Sequence, residues 1–257
     1  MPVQKVAFFG ATGDCAGYTL ANSLNAGLDC VALARTPEKL SKSMKDKGVS
    51  DETISKHLTI VAGDAKDVEA TKTALQINGQ VVDTIVSGIG STSITFAWSI
   101  WMPLVLTDPT ICRDCGNTLL KALKELKPAK KPLLINISTT GIQPKGKPRD
   151  VPLAYYWLYH YLLKSPHIDK EALEHDLRSN VALPENERSV SAFICPKPTL
   201  LFDGESLGME KVKEGVEDSP AIGYTIRRKD VGLWIYERLL NRDAPSNWLN
   251  KSVTLCY

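Results

Sequence analysis

Lys5-Val6-Ala7-Phe8-Phe9 is a short apolar run that breaks into Gly10-Ala11-Thr12-Gly13-Asp14-Cys15-Ala16-Gly17. Helical spacing follows from Tyr18 to Ala26, with Leu20 and Leu24 one turn apart. Apolar strand, glycine turn and helix in that order are one half of a βαβ unit. Only glycine and small side chains let an anion such as a diphosphate reach the free backbone amides that open a helix.

Further along the chain, the same alternation repeats. Cys30 to Ala34 and Leu58 to Ala62 are apolar runs, the second ending in Gly63-Asp64. Val68 to Ile77 reads as a helix, and Val81 to Val86 as a strand ending in Ser87-Gly88-Ile89-Gly90. A helix is expected from about Thr110 to Leu126, then a strand from Pro132 to Ile137 that ends in Ser138-Thr139-Thr140-Gly141. Strands that are apolar throughout and separated by helices imply a parallel sheet covered on both faces. The expected fold is α/β, a Rossmann-type doubly wound parallel sheet with a small C-terminal substrate-binding part. Ligands of such sheets lie outside the carboxyl ends of the strands, here Gly10, Arg35, Asp64, Gly88 and Ser138.

Past the Pro-rich loop from Gly141 to Val151 the pattern loosens. Helices are expected over Leu153 to Leu163, Ile168 to Ser179 (after Pro166) and Asp230 to Leu240. Strands are expected over Val190 to Cys195 and Ser252 to Leu255. Residues 1–150 are read as the cofactor-binding core. Residues 151–257 are read as a substrate-binding cap plus remaining sheet elements, in one integrated domain.

The chain has 257 residues, 43% of them apolar and 23% charged, which argues against disorder. Its 31 Lys and Arg nearly balance its 29 Asp and Glu, so no electrostatic footprint for nucleic acid exists. The most apolar window, Ile94 to Leu106, is broken by Ser99 and Pro103 and is too short to span a bilayer. The opening residues have no secretory pattern, so a cytoplasmic protein is expected, a monomer or a homodimer. The cysteines at 15, 30, 112, 115, 195 and 256 suggest no disulfide framework. Cys112 and Cys115 form a lone CxxC with no second ligand pair. They are read as small apolar residues on a helix, and no metal is expected.

The glycine turn sits in the strand–turn–helix context that dinucleotide binding needs. Gly10, Thr12, Gly13, Asp14 and Cys15 are its candidate residues. Asp14 puts a carboxylate beside a diphosphate, so its side chain is expected to turn outward or to cap the helix. At the end of the second strand an NAD-binding protein normally places Asp or Glu against the ribose 2′-hydroxyl. This chain reads Ala34-Arg35-Thr36-Pro37-Glu38-Lys39 instead. A guanidinium at 35, with Thr36 and Lys39 near it, suits a 2′-phosphate, so NADP(H) is the expected cofactor.

GATG directly after the first strand resembles the short-chain dehydrogenase/reductase superfamily in its extended and atypical branches. "VALARTPEKL" at 31–40 resembles the second-strand segment of NmrA-like and isoflavone-reductase-like members. "VAGDAKD" at 61–67, "DTIVSGIG" at 83–90, "DKEALEHDLRSN" at 169–180, "SAFICPKPTLLFDG" at 191–204 and "IRRKDVG" at 226–232 resemble further segments in the same order. The resemblance implies that Asp64 lies near the adenine and that Gly88, Ile89 and Gly90 line the cofactor. It also implies that Lys170, on its helix, orients the cofactor ribose or relays a proton. Such families hold NADPH reductases, fungal tailoring enzymes of secondary metabolism and NADP-binding regulators without catalysis.

Hydride transfer needs a proton donor or acceptor beside the nicotinamide. The Tyr-x-x-x-Lys pair of most short-chain dehydrogenases is missing. The nearest spacing is His160-Tyr161-Leu162-Leu163-Lys164, with histidine at the tyrosine position. Lys170 and His160 are therefore candidate acid/base groups. The spacing from Lys170 to Glu174 also fits a surface ion pair. Ser138 and Thr139 are placed to contact substrate or nicotinamide ribose. Trp98, Trp101, Tyr155 and Tyr156 are expected to wall the substrate site, with Tyr156 close enough to join the chemistry. Aromatic walls suit a bulky, flat, apolar molecule of polyketide or indole-alkaloid type. The expected activity is reduction of such a metabolite, or hydride removal and return that drives isomerisation or cyclisation. The alternative is an NADP-sensing regulator that binds a protein partner.

Overall fold

The computed structural model describes residues 4–90, 94–96, 104–157 and 163–257. The strands are β1 (Lys5–Phe9), β2 (Asp29–Ala34), β3 (Leu58–Ala62), β4 (Gln76–Ile77), β5 (Gln80–Val81), β6 (Thr84–Ser87), β7 (Ile94–Phe96), β8 (Leu104–Leu106), β9 (Leu133–Asn136), β10 (Ala192–Pro198), β11 (Leu200–Phe202), β12 (Lys213–Val216), β13 (Thr225–Arg227) and β14 (Lys251–Cys256). The helices are α1 (Asp14–Asn25), α2 (Pro37–Asp46), α3 (Asp51–His57), α4 (Val68–Ala74), α5 (Ile111–Leu126), α6 (Lys164–Ala182) and α7 (Arg228–Ile235).

Eight strands form one sheet in the order β12-β14-β10-β9-β6-β1-β2-β3, parallel except for β12, which runs antiparallel to β14. The expected Rossmann-type sheet is therefore present, and β10 and β14 continue it from the second half of the chain. Alternation along each strand divides the core. Val6, Phe8 and Ala32 face one side with Leu20 and Leu24 of α1 and Trp234 of α7. Ala7, Phe9, Val31 and Leu33 face the other with Leu119 and Leu123 of α5 and Leu173 and Leu177 of α6. Each such Val, Leu or Phe side chain contributes roughly 1.5–3 kcal/mol by leaving water, which fixes the register of every strand.

The structure corrects two element readings. The helix expected over Val68 to Ile77 stops at Ala74, because Asn78 and Gly79 take positive φ of 53° and 73° and turn β4 into β5. Asn-Gly is the residue pair that a tight hairpin turn demands. Next, α6 starts at Lys164 and not after Pro166; proline is tolerated there because a first-turn residue has no intrahelical N–H bond to lose. Over the helix expected from Leu153 to Leu163, Leu153–Tyr155 form a 3-10 turn that runs into helix at Tyr156 and Trp157, and residues 158–162 lie outside the described residues. Among the described residues no helix is long and apolar enough to cross a membrane.

The packing of α7 on α1 depends on Gly232. A Cβ there would fall 2.4 Å from Tyr18 Cβ and 2.9 Å from the Cys15 carbonyl oxygen. Alanine normally stabilises a helix interior over glycine by up to about 1 kcal/mol. Gly232→Ala is expected to reverse that sign and cost about 1–3 kcal/mol through overpacking. Thermal unfolding would show it as a fall of roughly 2–4 °C per kcal/mol.

Candidate functional site

β1 sits between β2 and β6, with α1 crossing on one face of the sheet and α4 on the other. At such a switch point the strand ends diverge and leave a crevice. A cavity of about 620 Å³ opens there, lined by the segments that follow β1, β2, β3, β6, β9 and β10. Its floor is a close backbone approach. Gly10 has a φ of +75°, and a Cβ on it would lie 2.8 Å from the Gly88 carbonyl carbon. A side chain there would fill the cradle.

Thr12, Gly13, Asp14 and Cys15 line the cavity where α1 begins. Gly13 caps α1 without a side-chain bond, and among the described residues no side chain bonds to the first amides of the helix. The Asp14 carboxylate turns away to Lys47 Nζ at 2.9 Å, the outward orientation expected of it. Arg35 lines the cavity, is exposed, and makes no ion pair or hydrogen bond among the described residues. Asp64 also lines it, with Oδ1 accepting the Lys66 N–H at 2.8 Å to shape the turn after β3. Gly88, Ile89 and Gly90 complete this side.

Ile137, Ser138 and Thr139 line the other end of the cavity, opposite Lys170 and His167 of α6. Lys170 Nζ donates to the Ile137 carbonyl at 2.9 Å. Ser138 Oγ donates to Glu174, one turn along α6. The surface ion pair that the Lys170–Glu174 spacing also fits is therefore not formed; each side chain reaches a different atom after β9. Asp169, buried on the same helix, accepts the Cys112 and Arg113 amides at 2.8 and 3.0 Å. That bond pair caps α5 and holds α6 against it.

Other expected site residues stand apart. Thr36 and Lys39 are exposed and do not line the cavity. Neither do Tyr155, which meets Tyr224 edge-on at 5.1 Å, and Tyr156, which is 42% exposed. His160, Trp98 and Trp101 lie outside the described residues. His167 and Arg228 carry no local signal in the sequence, and Glu174 is read there only as a surface ion-pair partner. Arg228 opens α7 and reaches the cavity because α7 packs on α1, and it pairs with Asp203 at 2.7 Å. The place of all three at the site comes from helix packing.

The cradle between Gly10 and Gly88, the uncapped start of α1 and the unpaired Arg35 fit a dinucleotide with negative charge at both points. The family model for NAD(P)H-binding proteins matches residues 10–242. The chain belongs to the NAD(P)H-binding family. Within it, this NAD(P)H-binding protein is 40% identical over 261 residues to Reductase pytE of Aspergillus terreus, covering 98% of this chain and 97% of that one. It is 34% identical over 287 residues to Oxidase pynE of Aspergillus niger, covering 99% of each. Among solved structures, ChuY, an anaerobillin reductase from Escherichia coli O157:H7, superposes with a TM-score of 0.64 at 16% identity, covering 98% of this chain and 96% of that one. The oxidoreductase ylbE from Lactococcus lactis gives 0.64 at 18% identity, covering 98% and 90%. These two likenesses concern the fold alone.

Both CxxC thiols are buried on α5, and Cys112 Sγ donates to the Ile89 carbonyl at 3.4 Å. Burial pushes the Cys112 thiol up to about 11, and those of Cys15 and Cys115 up to about 12. Burial also raises Cys30, Cys195 and Cys256. At about pH 8 a thiol titrating near 12 is ionised to roughly one part in 10⁴. Native protein is therefore expected to leave all six cysteines unreacted with a disulfide reagent on the timescale in which unfolded protein titrates fully. A rapid thiol in the native state would show that the α5 cysteines are chemically active.

Proposed function

We propose that this protein is an NADP(H)-dependent oxidoreductase acting on a bulky, flat aromatic small molecule. The observation that carries the reading is Arg35: an unpaired guanidinium on the cavity wall at the end of β2, where an NAD-binding site would place a carboxylate. In this reading the amides from Thr12 to Cys15 hold the diphosphate at the α1 N-terminus. Arg35 holds the 2′-phosphate, and Asp64 flanks the adenine. Gly88, Ile89 and Gly90 floor the cleft, and Lys170, Ser138 and Thr139 meet the nicotinamide ribose and the substrate. When bound, the nicotinamide supplies or takes the hydride.

The chain's own residues shape what lies opposite. Leu163, Pro166, Pro198, Leu200 and Leu201 line the cavity near Lys170 and Ser138, so the wall there is apolar with a few polar handles. That arrangement supports a polyketide- or alkaloid-like ligand better than a small hydroxy acid. The relatives' names, one a reductase and one an oxidase, support hydride transfer in either direction. Hydride removal and return, which drives isomerisation or ring closure with no net redox change, belongs to the same proposal. The second reading, an NADP-sensing regulator, is favoured by the exposed apolar surface of Leu153 (72%) and Trp157 (78%) beside Tyr156.

Arg35→Ala is expected to weaken NADP⁺ binding about 10- to 100-fold, the loss of charge-assisted bonds worth roughly 1.5–3 kcal/mol. NAD⁺ affinity should stay within about twofold of wild type. Titration calorimetry with both dinucleotides decides it: equal loss of the two removes Arg35 from the phosphate, and no uptake of either by wild type removes the cofactor function.

A further inference from the structure

Behind Ser138 lies a buried ionic cluster that cofactor binding does not require. Ser138 follows β9, is 4% exposed, and its backbone is held by an N–H bond to the Pro196 carbonyl at 2.8 Å. Its hydroxyl donates to Glu174 Oε1. The other oxygen of Glu174 lies 3.1 Å from Lys197 Nζ and accepts the Ser252 hydroxyl at 3.4 Å. Lys197 is fully buried in β10 and also donates to the Ile142 carbonyl.

Burying an ammonium and a carboxylate is costly, and apolar residues of similar volume would serve packing as well. What the pair does achieve is directional. A carboxylate ionised against Lys197 can only accept, so it holds the single proton of the Ser138 hydroxyl. The Ser138 oxygen then presents only lone pairs to the cavity. The group it meets there must be a donor, an O–H or N–H.

Resting on the dinucleotide reading above, we infer that Ser138, Glu174 and Lys197 form a proton-accepting relay that replaces the missing tyrosine–lysine pair, and that the substrate class it serves is an alcohol. As the substrate C–H gives its hydride to the oxidised nicotinamide, the O–H bond breaks and its proton goes to Ser138 Oγ. The former Ser138 proton passes to Glu174 Oε1. The products are a carbonyl compound, reduced dinucleotide and a neutral Glu174, and Lys197 stays an ammonium. Ser138 is the group that meets the substrate; Glu174 and Lys197 are positioning residues that act through it.

Asp150 holds the loop whose Ile142 carbonyl Lys197 reaches. It is 2% exposed, Oδ1 accepts the Gly141 N–H at 3.0 Å, and Oδ2 has no hydrogen-bond partner among the described residues. Burial raises its pKa, with Lys197 opposing. The groups in contact with Glu174 are Ser138 after β9, Lys197 of β10 and Ser252 of β14, behind which Glu217 pairs with Arg178.

The test uses full-length protein, NADP⁺ and 1-acenaphthenol, a flat aromatic secondary alcohol. Wild type is expected to oxidise it. Glu174→Gln and Ser138→Ala should each lower kcat about 100-fold, and Glu174→Gln should leave the NADP⁺ Kd within about twofold. The double variant should be no slower than either single one, as for groups that act as a unit. A second readout needs no turnover: the infrared difference between wild type and Glu174→Gln, with NADP⁺ bound at neutral pH, should show a carboxylate and no carboxylic acid. Should Glu174→Gln not fold, Ser138→Ala decides alone, because it removes the hydroxyl and leaves the ion pair intact. A wild type that takes up NADP⁺ but leaves the alcohol untouched, variants within about threefold of wild type, or a protonated Glu174 each overturns the relay alone. Failure to bind NADP⁺ at all overturns the dinucleotide reading beneath it.

Discussion

Two backbones meet where β1 and β6 end, and little in the site is possible without that contact. Gly10 adopts a left-handed φ of +75° and leaves no room for a Cβ against Gly88. The chain can then turn sharply from β1 into α1 and keep the first amides of the helix facing the cavity. The same contact sets the parallel pair β1–β6, which puts Ser87 beside Phe9 and brings Gly88, Ile89 and Gly90 to the floor of the cleft. Charge is arranged around this point by exclusion. Asp14, the one carboxylate in the first turn of α1, is drawn off by Lys47.

A single helix organises the opposite wall. Along α6, Asp169 caps α5, Lys170 reaches the Ile137 carbonyl, and Glu174 reaches Ser138 and Lys197. Successive turns of one rigid element thus bind α5, the end of β9 and the end of β10. The α5 N-terminus is already satisfied by a buried carboxylate, while that of α1 has no side-chain cap. Of these two helix starts, the latter is the one open to a phosphate. The asymmetry follows from where α6 packs.

The first half of the chain was legible because its signals are local. An apolar run, a glycine turn and an amphipathic helix each declare themselves within a dozen residues, and Leu58–Ala62 was bounded correctly for that reason. The β4–β5 hairpin was missed because Val68 onward keeps helical spacing and only Asn78-Gly79 breaks it. The antiparallel β12 was missed for another reason: Lys213-Glu214-Gly215-Val216 is mostly polar and becomes a strand by pairing with β14. At the site, the glycines and Arg35 were readable because strand ends must converge in a parallel sheet. His160 attracted notice by its spacing, yet the histidine that the structure places on the cavity wall is His167.

By itself, then, the sequence determined the doubly wound sheet, the dinucleotide cradle after β1 and the absence of an acidic residue after β2. Each depends on residues adjacent in the chain. Tertiary structure alone decided that Lys170 and Glu174 part company, that Lys197 lies wholly inside, and that Ser138 is held from behind by a carboxylate. Those contacts join residues 23 to 55 positions apart. No local pattern encodes them, because burial of charge is settled only when β9, β10, β14 and α6 close on one another.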